Sequence, residues 1–95
     1  MAKRLSSTLF VSRLSFYTTQ DKLRQMFSPF GAVTEARLVI DRETRRPKGF
    51  GFVTYESEAE AQKALKVMDG RMIDGRLIFV QVAQNERQTE DNSSR

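Results

Sequence analysis

Two kinds of hydrophobic periodicity alternate along the chain between residues 8 and 82. Apolar side chains at every second position, which indicate half-buried β-strands, occur in four segments. These segments are residues 8–12, 35–40, 49–55 and 77–82. Two further segments carry apolar residues at positions i, i+3, i+4 and i+7, the spacing of an amphipathic helix. The pattern predicts the order strand, helix, strand, strand, helix, strand.

Both predicted helices begin at sequences with capping-box spacing. Thr18 precedes Asp21 by three residues and Ser57 precedes Glu60 by three, so that a hydroxyl could accept a backbone N–H of the first turn. Gly31 supplies a stop for the first helix. The apolar helical positions are Leu23, Met26, Phe27 and Phe30 in the first helix and Ala61, Ala64, Leu65 and Met68 in the second.

This order of elements is that of the split βαβ arrangement. Right-handed crossovers place both helices on one face of a four-stranded antiparallel sheet and leave the other face open. We therefore predict an α+β fold, a ferredoxin-like βαββαβ sandwich. A chain of 95 residues has room for one domain, which we place at residues 8–83. Residues 84–95 contain no apolar side chain and are predicted to be a disordered polar tail, and residues 1–7 a flexible N-terminus.

The composition argues against several classes of function. The chain has no Cys and no His, so it lacks the usual zinc ligands, a thiol nucleophile and the commonest general base near neutral pH. No apolar run approaches the roughly 20 residues that span a bilayer, which excludes a membrane protein of the helical kind. We expect a monomer that has no metal or other cofactor and is not an enzyme.

The positive charge of the chain is unevenly distributed. Of the formal net charge of +4, residues 84–95 contribute −1, from two Arg and three acidic side chains, and residues 1–83 contribute +5. Residues 41–48 alone carry +2, because four basic side chains stand against two acidic ones. The basic ones are Arg42, Arg45, Arg46 and Lys48. This distribution favours an anionic partner such as nucleic acid, and a solvated basic loop is the alternative.

Three phenylalanines fall on the strand face opposite the aliphatic residues. Phe10, Phe50 and Phe52 are therefore predicted to face solvent on neighbouring strands. A contiguous apolar patch of this kind usually marks a binding surface. Bases stack well on such rings, at about 1 to 3 kcal/mol each, so the sheet could hold two or three unstacked nucleotides.

The third predicted strand carries a specific motif. Residues 48–55, KGFGFVTY, match the signature [K/R]-G-[F/Y]-[G/A]-F-V-x-[F/Y] at every defined position, and residues 9–14, LFVSRL, resemble its shorter companion. On these motifs the chain resembles the RNA-recognition-motif family over about residues 8–83. The segments FSPFG at 27–31 and DRET at 41–44 most resemble the small and glycine-rich single-domain RNA-binding proteins of plants. Because no glycine-rich tail follows, the small group is the more similar.

The resemblance implies roles for individual residues. Phe10 and Phe50 would stack on bases, Phe52 would pack against sugar rings, and Lys48 would contact a phosphate. Arg13 departs from the family, which more often has Asn or Gly there, so it either alters the local turn or adds a phosphate contact.

Further binding positions are implied on the outer strands and in the basic loop. The last strand and the backbone after it would read base edges, with Phe79, Gln81 and Ala83 on the open face. Glu35, Arg37 and Val39 would line the opposite edge. The side chains of Arg42, Arg45 and Arg46 would draw RNA toward the sheet.

These observations predict single-stranded RNA binding in RNA processing or metabolism. The main alternative is a protein-protein interaction module, because some members of the family hold a partner protein on the sheet or on the helical face. Single-stranded DNA also stacks on aromatic rings, and only contacts to the 2′-OH would distinguish the two.

An enzyme of the acylphosphatase type shares the topology but needs Asn to orient water, and the chain has Asn only at Asn85 and Asn92, in the predicted tail. An intracellular location is expected, with nucleus, cytoplasm, mitochondrion and chloroplast all open. Residues 1–7 are too short for a transit peptide before the first strand, so any targeting segment would have been removed or would lie outside this sequence.

Overall fold

The computed structural model describes residues 7–83, and the elements follow the predicted order. They are β1 (Thr8–Ser12), α1 (Gln20–Phe27), β2 (Val33–Ile40), β3 (Pro47–Tyr55), α2 (Glu58–Met68), β4 (Met72–Ile73), β5 (Arg76–Leu77) and β6 (Phe79–Val82). A short 3-10 helix, Ser28–Phe30, continues α1. The predicted flexible N-terminus, apart from Ser7, and the predicted polar tail lie outside the described residues.

The main sheet has the strand order β2-β3-β1-β6, and every neighbouring pair is antiparallel. Both helices contribute to one core with the inner face of this sheet. The sheet supplies Leu9, Val11, Val53, Tyr55 and Val80, and the helices supply Leu23, Phe27, Ala61, Ala64 and Met68. The predicted α+β, ferredoxin-like architecture is confirmed, and no helix of residues 7–83 lies on the outer face of the sheet.

The starts of the two helices differ in how well the sequence located them. Ser57 caps α2 as predicted, because its hydroxyl accepts the Glu60 N–H at 3.2 Å. For α1 the predicted cap, Thr18, is wrong by one residue: the hydroxyl of Thr19 accepts the Lys22 N–H at 3.1 Å, and Thr18 is buried. Two adjacent threonines offer the same hydroxyl, and only the path of the chain into the helix decides which one caps.

The last predicted strand begins two residues later than expected, because β5 pairs with β4 in a separate hairpin. Asp74 and Gly75 have φ of 51° and 80°, and positive φ at both central residues is typical of a type I′ hairpin turn. The Ile78 N–H donates to the Arg71 carbonyl at 2.9 Å rather than to a strand of the main sheet. Pairing with β1 therefore begins at Phe79.

The core includes one polar contact, at the predicted core residue Tyr55. Its hydroxyl is buried and donates to the Phe27 carbonyl at 2.6 Å, which ties the end of β3 to the end of α1. Burial, with a smaller contribution from the charge of Glu60, raises the pKa of Tyr55 well above its ordinary value. The phenol therefore acts as a neutral hydrogen-bond donor.

Candidate nucleic-acid interface

The outer face of the sheet presents side chains in rows that run across the strands. Cross-strand register places one residue from each strand in the first row and three residues in the second. Row one, from β2 to β6, is Arg37, Phe52, Phe10 and Gln81. Row two, from β3 to β6, is Phe50, Ser12 and Phe79.

The three phenylalanines of the signatures meet at the centre of this face. The Phe10 ring lies 5.5 Å from the Phe50 ring and 5.4 Å from the Phe52 ring, centroid to centroid, with interplanar angles of 49° and 51°. These are ordinary distances for interacting aromatic pairs. Phe10, Phe50 and Phe52 form the aromatic cluster, and the prediction that the chain brings them together is confirmed.

The members of the aromatic cluster differ in exposure. Phe10 and Phe50 are partly exposed, whereas Phe52 is only 2% exposed. The prediction that all three rings face solvent is therefore wrong for Phe52. The guanidinium of its cross-strand neighbour on β2, Arg37, lies 5.1 Å from the centre of the Phe52 ring. The Phe10 ring of β1 lies on the other side of the Phe52 ring. Arg37 also lies near the carboxylate of Glu35, with 3.9 Å between Nε and Oε2.

Arg13, immediately after β1, has the left-handed backbone conformation, with φ of 62°. Its guanidinium lies 5.4 Å from the centre of the Phe79 ring, and Phe79 is 44% exposed. The Nε of Arg76 donates to the Arg13 carbonyl at 3.4 Å. The sequence pattern did not indicate this contact of Arg76, because Arg76 lies 63 residues from Arg13 and the hairpin was not separated from the last predicted strand.

The loop between β2 and β3 has a defined backbone. Oδ1 of Asp41 accepts the N–H groups of Glu43 and Thr44 at 2.8 and 3.4 Å, and the Asp41 N–H donates to the Arg46 carbonyl at 2.8 Å. The hydrogen bond from Glu43 is the main reason that the pKa of Asp41 is lowered, and Thr44 and the charge of Lys48 add to it.

The basic side chains of this loop face solvent, as the charge pattern led us to expect. All four are exposed, and none forms an ion pair with another residue of segment 7–83. They are Arg42, Arg45, Arg46 and Lys48. The loop therefore offers positive charge beside the aromatic cluster.

The remaining predicted positions have different surroundings. Gln81 is exposed and Val39 is half-buried. Ala83 was predicted to face the open surface, but it is only 8% exposed, and its N–H donates to the Thr8 carbonyl at 2.9 Å. Pairing with Thr8 continues the ladder past β6 and uses the backbone group that was expected to be available.

Two exposed aromatic residues were missed by the sequence reasoning. Phe16 and Tyr17, between β1 and α1, are 61% and 92% exposed. The Phe16 ring lies beside Gly49, where a Cβ would be 3.2 Å from the ring. Two adjacent aromatic residues before a helix cap are a visible signal that could have identified them.

Neither a metal site nor a membrane span is found in the part of the chain that the structure describes. No three acidic side chains of residues 7–83 come close enough together to hold a metal ion. No helix among these residues is long and apolar enough to cross a bilayer.

Comparison with known proteins assigns the family. Residues 9–78 match the family model of the RNA recognition motif. The chain belongs to the RNA recognition motif family. This RNA recognition motif is similar to the crystal structure of RNA-binding protein PG1, with a TM-score of 0.82 and 34% identity over 85% of this chain and 98% of the other. It is also similar to a Sex-lethal protein in complex with RNA, with a TM-score of 0.80 and 28% identity over 84% of this chain and 48% of the other.

Two of the proteins similar to this chain come from Arabidopsis thaliana. This RNA recognition motif is 48% identical to glycine-rich RNA-binding protein 4, mitochondrial, over 95% of the chain and 65% of the relative. It is 51% identical to small RNA-binding protein 11, chloroplastic, over 83% of the chain and 54% of the relative. The chain thus spans between about half and two thirds of the length of these two relatives. Its similarity to both of them confirms the resemblance to plant single-domain RNA-binding proteins.

Proposed function

We propose that this chain binds single-stranded RNA across the outer face of its sheet, in RNA processing or metabolism. The observation that carries the proposal is the aromatic cluster, which lies on the face of the sheet opposite α1 and α2, has two partly exposed rings and stands beside an exposed basic loop. Unpaired bases can stack on such rings whatever their sequence.

Binding begins with electrostatic attraction by the loop between β2 and β3. Four exposed basic side chains without ion-pair partners in segment 7–83 raise the local concentration of an anionic strand. Lys48, at the start of β3, is exposed and lies two residues before Phe50. It is therefore well placed to contact the phosphate of a nucleotide that stacks on that ring.

Stacking then holds two nucleotides on Phe10 and Phe50. Phe52 has a different role from Phe10 and Phe50, because Arg37 covers its ring. If Phe52 packs against a sugar, the Arg37 side chain must first move off the ring, and its guanidinium can then contact the strand. At the other side of row one, the exposed amide of Gln81 can donate to and accept from a base edge.

The test is a titration of the chain with short single-stranded RNA pools and matched DNA pools. Phe10→Ala and Phe50→Ala should each weaken RNA binding by about 1 to 3 kcal/mol, roughly 5- to 150-fold, because each removes one stacking surface. Val67→Ala is the matched control, since it shortens an exposed apolar side chain on α2.

Three results of this titration would count differently. Unchanged RNA affinity in both Phe variants would contradict binding on the sheet. Equal affinity for RNA and DNA would show that the 2′-OH is not recognised. Absence of binding to either pool would remove the proposal and favour a protein partner.

An organelle, mitochondrion or chloroplast, is the proposed location. Its support is that the plant relatives with 48% and 51% identity are named mitochondrial and chloroplastic. Fluorescent tagging of the complete gene product at its C-terminus would test this, and a signal confined to the nucleus would contradict it.

A further inference from the structure

Beside the aromatic cluster, the outer face carries a second planar surface. Ser12 is the cross-strand partner of both Phe50 and Phe79, so Phe79 continues row two on the far side of β1. The guanidinium of Arg13 lies over the Phe79 ring at 5.4 Å, and both side chains are exposed. The Arg13-Phe79 pair is therefore next to the proposed stacking site on Phe50.

Three elements fix the position of Arg13. Its backbone has a positive φ that is uncommon for a residue other than glycine. Arg76 of β5 donates to the Arg13 carbonyl, and the Phe79 ring of β6 contacts the Arg13 guanidinium. A cation over an aromatic ring is attracted electrostatically, which favours a position of the guanidinium above the ring.

The side-chain N–H groups of Arg13 have no hydrogen-bond partner among residues 7–83. A guanidinium carries five N–H groups in a rigid fork and cannot lose its charge. Within residues 7–83 the Arg13 side chain makes no hydrogen bond or ion pair, and its charged group contacts the Phe79 ring. A planar fork held in place but unpaired is suited to a ligand with two adjacent acceptors.

Only some bases provide such a pair. Guanine has O6 and N7 side by side, which is the commonest partner of an arginine fork, and cytosine has N3 beside O2. In adenine and uracil each acceptor on an exposed edge stands beside an N–H donor, which would oppose one of the arginine N–H groups. Single-stranded RNA presents both edges of its bases, so either guanine or cytosine could reach the fork.

We propose that Arg13, held over Phe79, is a specificity-determining residue that selects guanine or cytosine over adenine or uracil at one nucleotide position. The inference rests on the proposed RNA binding and adds the base preference of that site. A phosphate could also pair with the fork, and the dependence of affinity on the base distinguishes the two ligands. Arg76 is a positioning residue, because its Nε donates to the Arg13 carbonyl.

The experiment uses RNA pools in which one position is fixed to a single base and the others are random. The unmodified chain should prefer G or C by about tenfold at one position. Arg13→Lys keeps the charge but removes the fork, so its affinity for the pools fixed to G or C should fall to that for the pools fixed to A or U. Arg13→Asn tolerates the left-handed backbone and should also lose the preference, which controls for effects on the turn.

A second measurement follows the Nε–H resonance of Arg13 by NMR. It should shift with the preferred pool and not with the pool fixed to A or U at that position. A preference retained in Arg13→Lys, or a salt-dependent effect of Arg13 with no base preference, would overturn the inference and leave RNA binding intact. If the unmodified chain bound no pool at all, the proposed function itself would fail.

Discussion

Phe50 and Phe52 lie on the same face of β3, yet one is partly exposed and the other is covered. The difference arises on β2. Arg37 is registered directly opposite Phe52, whereas β2 is irregular between Leu38 and Ile40 and pairs no residue with Phe50. A residue's neighbour across the sheet, rather than its own place in the alternation, thus sets how much of its ring is available.

For this reason the sequence predicted the site only in part. Alternation and the signature were sufficient to place Phe10, Phe50 and Phe52 together. They could not reveal that Arg37 covers Phe52 or that Arg13 lies over Phe79, because both contacts depend on the register between strands and on side-chain conformation. The pairing of Ala83 with Thr8 depends in the same way on where the ladder ends.

Tyr55 gives a prediction at the scale of a single hydroxyl. Tyr55→Phe keeps the ring but leaves the buried Phe27 carbonyl without its 2.6 Å donor. We expect the free energy of unfolding to fall by about 1 to 3 kcal/mol, the usual cost of an unsatisfied buried polar group. Chemical denaturation measures it.

The matched control is Tyr17→Phe, which removes the same hydroxyl from a side chain that is 92% exposed. It should change the free energy of unfolding by less than about 0.5 kcal/mol. Equal effects of the two substitutions would show that the Tyr55 hydrogen bond contributes nothing specific to stability.

At the scale of elements, the sequence located both helices and all four strands of the main sheet. It did not separate the β4-β5 hairpin from β6, because both segments are apolar and only hydrogen bonding distinguishes them. The Asp74-Gly75 turn was visible as a dipeptide, but its consequence for Arg76 was not. The hairpin matters because Arg76 supports Arg13 at the edge of the binding face.

The carboxylate of Asp41 is one of the groups that order the loop between β2 and β3. Asp41→Ala should accelerate hydrogen exchange of the Glu43 and Thr44 amides, because both lose their common acceptor. Asp41→Asn keeps an oxygen at the same position and should preserve most of the protection. Loss of protection in both variants would show that the charge of Asp41, rather than its acceptor geometry, orders the loop.

The same carboxylate makes the loop sensitive to acid. Because the amide hydrogen bonds lower the pKa of Asp41 in the folded chain, the contribution of its carboxylate to the stability of the loop is complete above the ordinary aspartate pKa of about 3.9. The contribution is lost as the pH falls through the lowered folded-state pKa. The Glu43 amide shift should therefore titrate below pH 3.9, and a midpoint at or above that value would contradict the assigned hydrogen bonds.

At the scale of the whole molecule, the directions of the strands place the proposed binding groups at one end of the sheet. β1 and β2 are both antiparallel to β3, so both end on the same side, where β3 and β6 begin. Arg13 after β1, the basic loop after β2, Lys48 at the start of β3 and Phe79 at the start of β6 therefore share that end. Residues far apart in the sequence form one surface because alternate strands run in the same direction.

This arrangement predicts how salt should weaken RNA binding. If about three phosphates are neutralised, the logarithm of the affinity should fall with the logarithm of salt concentration at a slope near −2, since each contact to a single strand contributes about −0.7. Replacing Arg42 and Arg46 together by Gln should make the slope shallower by about 1.4 if each contacts one phosphate. Titrations at several salt concentrations give the slopes directly.

The helical face provides a control with the same change of charge. Lys63 and Lys66 are exposed on α2, which packs against the opposite side of the sheet, so replacing both by Gln lowers the net charge from +4 to +2, as the loop variant does. Only the loop variant should alter the slope, because counterions are released where phosphates are contacted and not in proportion to net charge. Equal changes in both variants would mean that long-range attraction by the whole molecule, and not the loop, accounts for the electrostatic part of binding.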